Sequence, residues 1–331
     1  MKQIVIVGAG SWGTALAALW AKDGRPVTLW GNNAERISRV QSSRENSEYL
    51  PGVQLPDNIR ATHELGDCAE ADLIAFVIPS IAVREIATRV RHVGVKENAV
   101  LLSCTKGIEH GSGMRMSEIW STLFPSNPVA VLSGPNLAVE VVRGLPTATV
   151  IGCANENYAI ELQRFLGSEH FRIYTSDDVV SIELGGALKN VFAIAAGVSD
   201  GLGLGDNSKA ALVTRAMAEL LRLGTKMGGN ARTFYGLSGV GDLIATCFSK
   251  HSRNRRVGER LGHAETLARI QADMKMVAEG IPTAKSAFEC ARRLGVETPI
   301  IDQIYAVLYQ DKPLLFAMQE LLGRDPKAER L

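Results

Sequence analysis

Four short stretches place polar residues where a generic helix or turn has little use for them. In Glu183-Leu184-Gly185-Gly186-Ala187-Leu188-Lys189-Asn190, the pair Lys189-Asn190 stands among small and apolar neighbours, and Val191 to Val198 continues apolar behind it. A lysine so placed loses hydration, which disfavours the ammonium and lowers its pKa toward the range useful for moving a proton. The ordinary alternative is a lysine that snorkels to solvent. The Gly185-Gly186-Ala187 triplet argues for a site, because it strips bulk from beside Lys189 and lets a ligand or a helix come close. Gly241-Asp242 and Ser252-Arg253-Asn254-Arg255-Arg256 together supply a carboxylate, a guanidinium, a hydroxyl and an amide at a helix start, a set that can hold a phosphate. Ser103-Cys104-Thr105-Lys106-Gly107 and Ser133-Gly134-Pro135-Asn136 each follow an apolar strand. There Lys106 can bind an anion, and the Gly134-Pro135 turn can present backbone amides beside Asn136.

A fifth stretch, Gly8-Ala9-Gly10-Ser11-Trp12-Gly13, follows the apolar run Ile4 to Val7 and opens a helix through Thr14, Ala15, Leu16 and Ala18. Strand, glycine turn and helix in that order form the Rossmann dinucleotide fingerprint: the backbone approaches a pyrophosphate, which sits at the helix N-terminus. The second strand ends at Trp30 and is followed by Gly31-Asn32-Asn33, where a carboxylate normally binds the ribose and repels a 2′-phosphate. Neutral amides tolerate that phosphate, and Arg36 is close enough in sequence to reach it. NADP is therefore expected to be accepted alongside NAD. A solvated helix arginine is the plain alternative for Arg36.

The elements that must position these residues fall into two textures. From residue 1 to 180, short β-branched runs alternate with helical patterns: Ile4 to Val7, Val27 to Trp30, Leu73 to Ile78, Val100 to Leu102, Val129 to Leu132, Thr147 to Ile151 and Phe171 to Tyr174. This predicts an α/β Rossmann domain with a doubly wound, mostly parallel sheet. Pro51-Gly52 and Pro56-Asp57 make Tyr49 to Asn58 an irregular excursion. From 181 to 331 the β-branched runs vanish, and segments such as Asn207 to Met227 and Ile281 to Leu294 read as long amphipathic helices, predicting an all-α second domain. No Ser/Pro-rich linker intervenes, so the halves are expected to pack tightly with a ligand cleft between them.

Composition narrows the partners. With 36 Lys plus Arg against 35 Asp plus Glu, the formal charge of +1 provides no overall field for nucleic acid or an anionic membrane. The six histidines are not paired at metal-ligand spacing, and the five scattered cysteines include no C-x-x-C, so neither a metal site nor a disulfide framework is expected. No run is long and apolar enough to suggest membrane insertion, and the reduced thiols point to a cytoplasmic protein.

In the order Gly8 to Thr14, Thr105-Lys106-Gly107, Gly134-Pro135, Gly185 to Val191, Asp200 to Asp206, Gly239 to Leu243, Ser252 to Arg255 and Val277-Ala278-Glu279-Gly280, these motifs span nearly the whole chain. Together they closely resemble the NAD(P)-dependent glycerol-3-phosphate dehydrogenase family of the bacterial biosynthetic type. The resemblance implies reversible reduction of dihydroxyacetone phosphate to sn-glycerol 3-phosphate for glycerophospholipid synthesis, in a cytoplasmic enzyme that is commonly a homodimer. It implies that Lys189 is the proton donor and acceptor. It places Lys106, Gly134, Asn136, Lys189, Asp242, Ser252, Arg253 and Asn254 at substrate-binding positions. Gly8, Gly10, Ser11, Trp12, Gly13, Asn32, Lys106, Ala138, Arg253, Val277 and Glu279 are the cofactor positions expected from the fingerprint and the resemblance together. Asn136 stands where many relatives carry Ser, and Asn32 where many carry a basic residue. Two other readings share part of the pattern. A β-hydroxyacid dehydrogenase leaves the Ser-Arg-Asn-Arg cluster without a purpose, and a nicotinamide-binding regulator has no use for Lys189 and Asp242 together.

Overall fold

The computed structural model describes residues 1–22, 24–325 and 328. The chain divides into two units, Met1–Thr105 with Met116–Val179, and Lys106–Arg115 with the chain from Val180 onward.

The first unit is built on the apolar runs. Its elements are β1 (Ile4–Val7), α1 (Ser11–Trp20), β2 (Val27–Trp30), α2 (Ala34–Ser43), β3 (Ile59–Thr62), β4 (Leu73–Phe76), α3 (Val83–Val93), β5 (Val100–Ser103), α4 (Met116–Leu123), β6 (Val129–Ser133), α5 (Ala138–Val142), β7 (Thr147–Cys153), α6 (Glu156–Leu166) and β8 (Phe171–Ser176). The sheet order is β3-β2-β1-β4-β5-β6-β7-β8. All neighbours are parallel except β6 and β7. Every residue of β1, β2, β4 and β5 is buried, as strands covered on both faces require. The edge strand β8 differs, burying Phe171 and Ile173 while exposing Arg172 and Tyr174. Sequence reading misses β3, a four-residue edge strand directly behind the Pro56-Asp57 turn, because Ile-Arg-Ala-Thr has no long apolar run and its alternation lasts only four residues. The chain crosses from β3 on one side of β1 to β4 on the other, so the glycine loop after β1 lies at the topological switch point, where open sheets bind ligands.

The second unit is helical: α7 (Val179–Gly201), α8 (Gly205–Lys226), α9 (Ala231–Phe234), α10 (Asp242–Phe248), α11 (Arg253–Gly262), α12 (Leu267–Asp273), α13 (Gly280–Leu294), α14 (Pro299–Tyr309) and α15 (Leu314–Leu322). Helix α7 is buried without interruption from Ser181 to Ser199 and forms the spine of this unit's core. Among the described residues it alone is long and apolar enough to cross a membrane, yet 89% of its most apolar stretch is packed inside the protein, so it is a core helix. Lys106–Arg115 departs from a single division at residue 180. It forms a strap closed by an Ile108–Arg115 bridge, it buries Ile108 in the helical core, and Arg115 pairs with Glu183 of α7 at 2.7 Å. Close backbone contact brings α11 onto α7. A Cβ on Gly197 would lie 1.8 Å from the Arg255 carbonyl, and one on Gly258 would lie 1.9 Å from that of Ile194. Only glycine allows this approach, and it sets Asn254 beside Asn190.

Candidate active site

The glycine loop in the first unit shows which glycines the protein needs and which a ligand needs. Gly8 has φ +129 and a Cβ there would meet the Val77 carbonyl at 2.2 Å; a Cβ on Gly13 would meet the Gly8 carbonyl at 1.8 Å. Folding itself demands these two. Gly10 has an ordinary φ of −80, and a Cβ there would meet nothing within 4 Å. Neither backbone strain nor packing accounts for glycine at 10, whereas a group approaching from outside does. It is the N-cap of α1, whose first turn carries no acidic residue and no side-chain cap, so the amides at that end suit a pyrophosphate. The loop is held from behind by the excursion that follows α2. Asn46 donates to the Ala9 carbonyl at 3.0 Å and to Thr14 Oγ1 at 2.8 Å, and Ser11 Oγ donates to the Tyr49 carbonyl at 2.7 Å. Trp12 is half-buried, its ring 6.4 Å from that of Phe171. The residues present thus fit a dinucleotide.

This contrast is open to measurement. Gly13→Ala should lower the denaturation midpoint sharply. Gly10→Ala should leave it nearly unchanged and instead weaken dinucleotide binding by about tenfold or more, the scale of one displaced charge-assisted contact. Titration calorimetry and thermal melts on both variants separate the two effects.

Other residues singled out in this unit lie as follows. Asn32 and Asn33 are exposed past the end of β2, and Asn33 caps α2 by accepting from the Arg36 amide. Gly134, with φ +144, directly follows β6, and a Cβ there would crowd Thr149. Asn136 Nδ2 donates to Thr149 Oγ1 at 2.9 Å, while its buried Oδ1 has no partner among the described residues. Ala138 opens α5.

The chemistry-bearing residues of the second unit meet on one carboxylate. Asp242 begins α10 after a wide turn over Leu237–Gly241, and it is 2% exposed. Lys189 Nζ donates to its Oδ1 at 2.6 Å, and Lys106 Nζ donates to its Oδ2 at 2.6 Å. Lys189 also donates to Thr246 Oγ1 at 2.6 Å, and that hydroxyl lies 3.2 Å from Asp242 Oδ1. Desolvation lowers the Lys189 pKa to about 8; the Asp242 charge pushes it up, and the Lys106 charge pushes it down again. A lysine near 8 exchanges its proton close to neutral pH. The glycine triplet beside it accommodates protein rather than ligand at Gly185, where a Cβ would meet the Ser238 carbonyl of the wide turn at 2.6 Å. Thr246 escapes sequence reading, although its position four residues after Asp242 on a helix was the available signal.

The basic run divides by face. Arg255 turns inward and bonds Asp200 at 2.6 Å, an acid that Lys209 also binds at 2.8 Å. Ser252 caps α11 by accepting from the Arg255 amide, leaving its hydroxyl proton to donate. Arg253 is exposed and donates one N–H to the Val277 carbonyl at 2.8 Å, close enough to Glu279 to feel its charge. Asn254 is buried in a relay, donating to Asn190 Oδ1 at 2.8 Å and accepting from the Gly280 amide at 2.8 Å. The structure therefore brings Lys106, Lys189, Asp242 and Thr246 into one cluster, and Arg253, Val277 and Glu279 into another. Asn254 joins α7, α11 and α13 rather than standing free.

Residues 3–159 match the family described as NAD-dependent glycerol-3-phosphate dehydrogenase N-terminus, and residues 178–319 match its C-terminus. The chain belongs to the NAD-dependent glycerol-3-phosphate dehydrogenase family. Within it, this chain is 45% identical to the glycerol-3-phosphate dehydrogenase [NAD(P)+] of Geobacter metallireducens, over 99% of each chain. It is 44% identical to that of Corynebacterium glutamicum, over 99% of this chain and 100% of the relative. The crystal structure of glycerol-3-phosphate dehydrogenase (gpsA) from Coxiella burnetii superposes with a TM-score of 0.94 at 37% identity, covering 98% of this chain and 99% of that one. Family membership decides against the β-hydroxyacid dehydrogenase and regulator readings.

Proposed function

We propose that this chain is an oxidoreductase that reversibly reduces dihydroxyacetone phosphate to sn-glycerol 3-phosphate with NADPH or NADH. The observation that supports the reading is the Lys106–Asp242–Lys189–Thr246 cluster, in which burial brings the Lys189 ammonium pKa down to about 8, in a chain of this family.

A dinucleotide held at the glycine loop would supply the hydride for the carbonyl carbon. Lys189 Nζ gives its proton to the carbonyl oxygen as negative charge grows there, and takes it back in the reverse direction. Asp242, bonded to both ammonium groups, keeps Lys189 protonated enough to act and fixes the direction of its Nζ. Thr246 takes a further hydrogen bond of that Nζ, which limits the positions open to it. Lys106 adds positive charge for the anionic substrate and for the developing oxyanion. Arg253, with the Ser252 hydroxyl and the amides that open α11, is the proposed phosphate holder; Asn254 fixes that helix start while contributing to the same site. Gly134 and Asn136 are proposed as substrate contacts, the latter through its unpaired Oδ1. Gly8, Gly10, Ser11, Trp12, Gly13, Asn32, Lys106, Ala138, Arg253, Val277 and Glu279 are the proposed dinucleotide contacts. The product is the backbone of glycerophospholipids, so the reaction is placed at the supply of that pathway, in a cytoplasmic homodimer whose mass light scattering would check.

The test is direct. Adding dihydroxyacetone phosphate to enzyme and NADPH or NADH should consume the reduced cofactor, and hydroxyacids or their ketoacids should not substitute. Activity with a ketoacid and none with dihydroxyacetone phosphate overturns the reading.

The lowered Lys189 pKa sets the pH dependence. Reduction needs the protonated amine, so its rate should fall as pH rises through about 8, while the reverse oxidation should rise over the same range. Stability moves with it. Between about 8 and the ordinary 10.5, the unfolded lysine keeps a proton that the folded one has lost, so this group makes folding more favourable as pH rises across that window. Rate profiles in both directions should show the opposed limbs, and profiles of the same slope would remove Lys189 from the acid–base role.

A further inference from the structure

The end of β2 lacks the carboxylate that would turn away a 2′-phosphate, and sequence spacing offers Arg36 as the cation to receive one. The structure commits Arg36 elsewhere. Its guanidinium lies over the Tyr49 ring at 4.7 Å, donates to the Tyr49 hydroxyl at 3.0 Å, and approaches the Glu48 carboxylate at 3.8 Å. The cation beside Asn32 comes instead from a distant element. Arg89, on α3, donates Nη1 to Asn32 Oδ1 at 3.1 Å, and its guanidinium carbon stands 5.4 Å from the centre of the Trp30 ring. Trp30 is a fixed platform, 2% exposed, with its indole N–H bonded to the His63 carbonyl at 2.8 Å. The Arg89 side chain is 41% exposed, and Glu85, one turn before it on α3, lies at 4.0 Å, the limit of an ion pair, and is itself 73% exposed.

We propose that Arg89 is the residue of this chain that reads the 2′-phosphate of NADP and sets its preference over NAD. The proposal rests on the dinucleotide reading of the glycine loop given above. A guanidinium held against an aromatic face by one N–H keeps its other donors for a phosphate at little further loss of side-chain freedom. Asn32 gives its oxygen to Arg89, so its amide nitrogen is left as a second donor at the same place. Arg36 would first have to leave Tyr49 and Glu48. Asp or Glu at position 32 would reverse the arrangement, accepting the Arg89 charge and repelling a phosphate.

Calorimetric titration of the full chain with 2′,5′-ADP and with 5′-AMP, two fragments that differ only in the 2′-phosphate, isolates this contact without turnover. The wild type should bind 2′,5′-ADP more tightly. Arg89→Ala should weaken 2′,5′-ADP binding by about 10- to 100-fold, the range of one charged hydrogen-bonded contact, and shift 5′-AMP binding by less than about threefold. Arg89→Lys, which keeps the charge and loses the fork, should fall between, and Asn32→Asp should lose the 2′,5′-ADP advantage with Arg89 intact. In kinetics, the ratio of kcat/KM for NADPH to that for NADH should drop in Arg89→Ala mainly through KM. Equal wild-type affinity for the two fragments overturns the proposal, as does an Arg89→Ala variant that keeps the advantage or an Arg36→Ala variant that loses more of it. An enzyme that shows these fragment affinities and yet does not reduce dihydroxyacetone phosphate would sink the proposed reaction and leave this inference standing.

Discussion

Lys189→Ala is expected to lower turnover by about 10²- to 10⁴-fold, the contribution of a positioned acid–base group, while the chain remains folded. The fold should survive because Asp242 keeps Lys106 at 2.6 Å, so the buried carboxylate is not stranded when Lys189 goes. The change also removes a buried ammonium whose desolvation opposes folding, which offsets part of the lost hydrogen bonding to Asp242 and Thr246. Lys189→Arg serves as the control: it restores positive charge but not a proton that can be released, since a guanidinium stays protonated throughout the working range. Both variants should therefore be slow, with Ala and Arg similar in kcat and a thermal midpoint near that of the wild type. Steady-state kcat in each direction together with a melt decides the matter, and turnover within a few-fold of wild type in Lys189→Ala would remove Lys189 from the proton-transfer role.

The second large effect is on Asp242. This carboxylate is 2% exposed and holds two lysines whose side chains are 9% and 18% exposed. Asp242→Ala leaves two ammonium groups close together with their shared counter-charge gone, the situation in which breaking a buried pair costs about 3–5 kcal/mol. Lys189 can escape part of that cost by releasing its proton, because the Asp242 charge is what raises its pKa against desolvation. Two consequences follow for Asp242→Asn, which keeps shape and loses charge. Its denaturant midpoint should fall, with the loss largest at low pH where Lys189 must carry its proton. The limb of the reduction profile should also move below the wild-type value of about 8, so that reduction near neutrality slows more than oxidation does. A stable Asp242→Asn variant with an unmoved limb would separate Asp242 from the proton-carrying lysine.

The two variants also differ in what they report about Lys106. Lys106 and Lys189 are bonded to different oxygens of one carboxylate, so removing either leaves the other paired, whereas removing the carboxylate affects both at once. Energies at such shared partners do not add, and a Lys106–Asp242 double-mutant cycle should show strong coupling for that reason.

Local order along the chain was enough to place the dinucleotide fingerprint and seven of the eight strands, because each rests on consecutive residues: an apolar run, a glycine turn, a helix start. Membership in a family was likewise legible from the order of short motifs, each of which survives being read one at a time. Lys189, Lys106 and Asp242 could each be marked as unusual for the same reason, by residue type against immediate neighbours. The resemblance already set Asp242 beside Lys189; what sequence could not express was that Lys106 shares the same carboxylate. Asp242 lies 53 residues from Lys189 and 136 from Lys106, and only the packing of the strap and α10 against α7 makes one carboxylate serve both. Tertiary contact also supplied partners that spacing could not: Gly185 makes room for a carbonyl of the chain itself, Asn254 joins three helices through its amide, Arg36 lies over the Tyr49 ring, and Arg89, 57 residues from Asn32 in sequence, stands 3.1 Å from it in space. Propensity and periodicity are properties of neighbours along the chain, so they determine elements and loops. Desolvation, charge pairing and hydrogen-bond saturation depend on distance in space, and so the protonation and direction of each functional side chain were settled only when the chain folded.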